Sequence, residues 1–133
     1  MSALKKPRGT WVSRSLLQGA HLCLCTNETS FRAELRHMRI PTPHPEFVGP
    51  TANAQTHSFV NAKGALCCVV CIRDFRDKDP VEVAALLVHE AVHVWQQTRV
   101  YLGETAPSPE FEAYAIQNIS GNLMQAFADT ALG

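Results

Sequence analysis

No sign of charge dominates this chain: twelve basic residues balance twelve acidic ones over 133 residues. A surface without a net field has little means of recruiting nucleic acid or an anionic membrane. No apolar run is long enough to span a bilayer, and the opening MSALKKPRGTW has basic residues but no following apolar stretch of the kind a signal peptide needs. The five cysteines form no paired CxxC knuckles; Cys68 and Cys71 supply the single CxxC spacing. They fall in the apolar run 65–72, where strand alternation sends them to opposite faces. A structural zinc cluster is therefore not expected, and the thiols read as small core hydrophobes. An odd cysteine count, adjacent thiols and no export signal point to a reducing cytoplasm. Repeats and low-complexity tracts are also lacking, and the length suits one domain, residues 1–133, with a single core.

What stands out against this background is His89-Glu90-Ala91-Val92-His93, an HExxH motif. Residues four apart share a helix face, so the two imidazoles can meet one metal ion, with Glu90 one position round. This spacing belongs to zinc-dependent hydrolases. Over 83–95 the only polar side chains are these three. A helix apolar on nearly every side is expected to be buried, and burying a carboxylate and two imidazoles is costly unless each finds a partner. A divalent cation would offset that cost; the bland alternative is a chance motif whose side chains are satisfied locally. Asp79-Pro80-Val81-Glu82 reads as an N-cap, a first-turn proline and a capping-box glutamate, and Gly103 as the stop. A helix of about 20 residues, or ~30 Å, follows.

A catalytic zinc takes three protein ligands, so a third is sought downstream. Ser108-Pro109 opens a second helix whose first turns carry Glu110 and Glu112, followed by Ile116, Ile119, Leu123 and Phe127 at helical spacing. Two residues apart means about 200° around the axis, so only one glutamate can face a given partner. Burial periodicity favours Glu112; the bland alternative is that both simply complement the helix dipole. No histidine follows His93, and Arg99 occupies the place a HExxHxxGxxH site would need.

HExxH followed by Glu110-x-x-Ala113-Tyr114 resembles the gluzincin class of metallopeptidases, and the stretch 83–117 is similar to small zincin-like proteins of phages and bacteria. The resemblance implies zinc held by His89, His93 and Glu110, with Glu90 as general base, and it selects Glu110 over Glu112. It also implies a compact α+β zincin-like fold: an HExxH core helix, a glutamate-bearing helix and a small antiparallel sheet. The expected activity is hydrolysis of a peptide bond in a peptide or protein substrate. The alternative is a binding or assembly module that keeps the metal without peptidase activity.

The runs 55–60 and 65–72 flank Asn61-Ala62-Lys63-Gly64 and read as a β-hairpin. In the resemblance its edge strand would lie above the cleft and could pair with an extended peptide. His57 on that strand, Tyr101 and Tyr114 are candidates for stabilising a developing oxyanion; for His57 a solvent-facing position is the simpler expectation. Residues 9–19 and 30–38 have helical character, the latter with Ser30 as possible cap. PTPHPEFVGP, 41–50, cannot be regular helix and reads as a surface loop, either a rim of the cleft or a plain connector.

Overall fold

The computed structural model describes residues 7–12 and 19–131. Its elements are β1 (Thr10–Val12), β2 (His21–Cys25), α1 (Glu28–His37), β3 (Ala54–Val60), β4 (Leu66–Ile72), a 3-10 turn (Phe75–Asp77), α2 (Pro80–Leu102) and α3 (Pro109–Ala131). The fold is α+β, with one sheet in the order β1-β2-β4-β3. Among the described residues no helix is long and apolar enough to cross a membrane.

The hairpin expected from 55–60 and 65–72 is present: β3 and β4 pair antiparallel, and Asn61 closes the turn by accepting from Lys63 N and Ala65 N. The small antiparallel sheet expected around it is a four-stranded mixed one. β2 joins β4 in parallel, with His21 opposite Cys67 and Cys25 opposite Cys71. A parallel neighbour needs a long crossover, and the 40 residues between β2 and β4 provide it. β4 is consequently flanked on both edges and covered on both faces, which is why all seven of its residues are buried.

Strand alternation divides the core. Leu22, Leu24, Cys68 and Val70 face α2 and α3, meeting Leu87, Ala91, Trp95, Ile119 and Leu123. Cys23, Cys25, Val69 and Cys71 face α1 and the loop, meeting Phe31, Leu35 and Val48. Cys68 and Cys71 thus do fall on opposite faces. All five cysteines are buried and unbridged, and burial pushes the Cys68 thiol up to about 11. They behave as core side chains.

Two local expectations are corrected and one open alternative is decided. Thr10–Val12, read within a helical stretch, is an edge strand on β2; residues 13–18 of that stretch lie outside the described residues. The cap of α1 is Asn27, whose Oδ1 accepts from Ser30 N and Ser30 Oγ, so the helix starts ahead of Ser30. The loop 41–50 packs through Val48 on the α1 side of the sheet, away from α2, and is no rim of the HExxH face.

The edge strand β1 and the residues just before it are tied to α1 by a buried carboxylate. Glu34 on α1, fully buried, accepts from Arg8 Nε at 2.7 Å and Nη2 at 3.0 Å, Gly9 N at 2.7 Å and Trp11 Nε1 at 3.0 Å. Burial would raise its pKa, but the donors of Arg8, Trp11 and Gly9 together hold it below the ordinary 4.5. A depressed folded-state pKa contributes stability that is present above pH 4.5 and lost as pH falls through the folded value. Glu34→Gln should therefore cost about 3 kcal/mol at neutral pH by urea unfolding. The gap between variant and wild type should narrow as the pH is lowered from 5 to 2. A constant gap would assign the loss to packing.

Candidate metal centre

α2 begins and ends as its residues dictate. Asp79 Oδ1 accepts from Val81 N, Pro80 sits in the first turn, and Gly103 terminates the helix at φ 78°. Glu82 does not act as a capping-box partner; it stands exposed and lines a hollow further along. The buried stripe of α2 runs through Val83, Leu87, Glu90, Ala91, Val94, Trp95 and Thr98. His89 and His93 lie on the flank of this stripe and are exposed. The expectation that all three polar side chains are buried holds for Glu90 alone, because the helix crosses the sheet on one side only.

The two imidazoles converge. His89 Nε2 and His93 Nε2 are 3.3 Å apart, with the rings edge to face at 5.0 Å between centroids. Two nitrogens bound to one tetrahedral zinc at 2.0–2.1 Å stand about 3.3–3.4 Å apart, so the spacing fits a shared ion. Without a cation, a single proton between the two nitrogens spans the same gap. His93 Nδ1 lies 2.9 Å from Gln96 Oε1. With Nδ1–H donating to that amide oxygen, a neutral His93 has its Nε2 lone pair free for a ligand.

Glu90 reaches the sheet. Its carboxylate accepts from Thr56 Oγ1 at 2.9 Å, and the same hydroxyl lies 3.3 Å from the Glu90 carbonyl oxygen. Thr56 is a site residue that the motif did not disclose. The alternation of β3 puts Ala54, Thr56 and Ser58 on one face, but which helix that face meets is a tertiary matter. Ala54, Gln55, Thr56, His89, Glu90, His93 and Gln97 enclose a cleft of about 240 Å³. Beside it, sharing Ala54, His89 and Glu90, a hollow of about 350 Å³ extends toward the start of α2.

The other sequence candidates are dispersed. Glu110 is exposed, and on a helical wheel it lies about 140° from Ala115, away from the buried stripe of α3. Glu112 is committed to packing, its Oε2 accepting from Trp95 Nε1 at 2.7 Å. Among the described residues no three His, Cys, Asp or Glu side chains group as a metal site; His89 and His93 are the two brought together. His57 is neither a cleft residue nor solvent-facing. It is buried on the α1 side, stacks near Phe31 and donates from Nε2 to the Phe47 carbonyl at 2.9 Å, and burial lowers its pKa. Tyr101 donates to the Gly64 carbonyl at the hairpin turn, and Tyr114 lines a separate hollow on α3.

A larger hollow of about 560 Å³ lies on the α1 side, between the first turn of α1 and residues 46–48. Its two arginines are already engaged, Arg32 with the Pro45 carbonyl and Arg73 with those of Val48 and Gly49. They hold the loop in place.

No protein-family model, curated protein or solved structure matches the chain.

Proposed function

We propose that the protein is a zinc-dependent hydrolase acting on peptide bonds, with a zincin-like arrangement of α2 and α3. The observation that carries the reading is the 3.3 Å separation of His89 Nε2 and His93 Nε2, on the border of the cleft that Glu90 also lines. Two imidazoles suit zinc better than calcium or magnesium, which prefer all-oxygen sites. When bound, zinc supplies a Lewis acid that polarises a carbonyl and makes water more acidic. His89 and His93 would hold it, and Gln96 would keep the His93 ring oriented. Glu90 would take a proton from the attacking water and return it to the leaving amine. Thr56 occupies one side of that carboxylate and leaves the remainder for the proton.

Glu110 is the third ligand that the resemblance assigns, and its carboxylate is not engaged as that of Glu112 is. The two glutamates separate experimentally. Purified protein should take up close to one zinc per chain by elemental analysis, and zinc-loaded protein should cleave members of a peptide library. Glu110→Ala should weaken zinc affinity in a calorimetric titration and leave folding stability nearly unchanged. Glu112→Ala should leave zinc affinity in place and cost about 1–3 kcal/mol of stability, since it strands the buried Trp95 N–H. Failure to bind any transition metal would refute the proposal.

A second reading rests on the two-histidine grouping itself. A zinc held by His89 and His93 alone has open positions that a partner protein's side chains can fill, which describes a metal-dependent binding or assembly module. Zinc uptake without cleavage of any peptide would favour it.

A further inference from the structure

The cleft continues past the paired imidazoles. Glu82, Leu86, His89 and His93 are spaced 4, 3 and 4 residues apart along α2 and so follow one face of the helix. The arm beyond His89, about 350 Å³, has short apolar walls in Ala52, Ala54, Ala85 and Leu86 beside the amide of Asn53, and it carries a carboxylate, Glu82, two helical turns from His89 and Glu90. Glu82 is exposed, and among the described residues the ion pairs are Arg8–Glu34 and Arg32–Glu28, neither of which engages its carboxylate. The opposite arm differs in character, offering the uncharged amides of Gln55 and Gln97.

A channel of small apolar side chains ending at a carboxylate complements an aliphatic stem with a cationic tip. Long basic side chains have this construction, burying their methylenes while the charged head stays near water. We infer that Glu82 is a specificity-determining residue of the cleft, selecting peptides that lay a lysine or arginine side chain along Ala54 and Leu86. The inference rests on the peptidase reading above. Glu82 lies seven residues from His89, about 10.5 Å along the helix. An extended peptide advances ~3.3 Å per residue, so the basic residue belongs within about three positions of the bond held beside Glu90. A partly solvated pair of this kind is worth about two- to fivefold in affinity.

The test uses Glu90→Gln protein, which keeps the groove and should not consume its ligand. Peptides identical except for lysine, norleucine or glutamate at one of three positions on either side of a central bond are titrated by fluorescence anisotropy. Norleucine keeps the hydrocarbon stem without the charge. At one position lysine should bind about two- to fivefold more tightly than norleucine, and glutamate more weakly than either. Adding Glu82→Gln should level lysine and norleucine, and adding Glu82→Lys should invert lysine and glutamate. If Glu82 only complements the dipole at the start of α2, both substitutions shift the melting temperature without reordering the peptides, which overturns the inference. Equal binding of all three peptides at every position overturns it as well. Cleavage by zinc-loaded wild type is scored separately: cleavage with no preference for a basic residue removes this inference and leaves the hydrolase reading standing. A protein that neither takes up zinc nor binds any of the peptides removes both readings.

Discussion

Glu90→Gln is expected to keep the fold and bind zinc normally while losing about 10²–10⁴-fold in peptide hydrolysis, the range general acid–base groups contribute. The amide is nearly isosteric with the carboxylate and its oxygen can still accept from Thr56 Oγ1, now 2.9 Å from Glu90 Oε1. Because Glu90 is buried beside β3, a shorter side chain would leave a void and confuse chemistry with packing; glutamine avoids that. What the amide lacks is the capacity to take a proton and release it again. Steady-state cleavage and a zinc titration on the same preparation separate the two properties. Activity that survives the substitution would remove Glu90 as base. Parallel loss of zinc and activity would make it a structural support of the site.

The second large effect is on the metal. His89→Ala and His93→Ala should each reduce zinc affinity by more than the roughly 10–100-fold that loss of a group merely orienting a ligand costs. Gln96→Ala should fall within that range, since Gln96 reaches the site only through His93 Nδ1 at 2.9 Å. Both histidines are exposed, and alanine favours a helix, so the metal-free variants should unfold within about 0.5 kcal/mol of wild type. Zinc at a hundred times its dissociation constant stabilises a folded protein by about 2.7 kcal/mol. Wild type should show that upward shift in melting temperature on adding zinc, and neither histidine variant should. A zinc-induced shift retained by both would mean that the ion binds elsewhere.

Glu90 shows how burial and chemistry combine at this site. Its carboxylate is covered by β3, yet it borders the same cleft as the two exposed imidazoles. The arrangement places a stiffly held carboxylate beside two imidazoles that are open to solvent.

Local chemistry was legible in the residues themselves. The Asp79 cap and Gly103 stop bound α2, Ser108-Pro109 opens α3, and Asn61–Gly64 turns the hairpin, each through contacts only a few residues apart. The convergence of His89 and His93 belongs to the same category, because a helix alone sets the relation of residues four apart. Tertiary packing decided the rest. The residues of β2 do not reveal that it pairs in parallel with β4 across 40 intervening residues, where the resemblance implies an antiparallel sheet. Alternation splits β3 into a Thr56 face and a His57 face, but only docking against α2 selects Thr56 for Glu90 and sends His57 to the Phe31 side. The same docking leaves the apolar surroundings of His89 and His93 on an open flank and gives Glu112 to Trp95. Local sequence dictates periodicity and caps because those interactions close within one or two turns; which faces meet depends on burying apolar area over the whole chain at once.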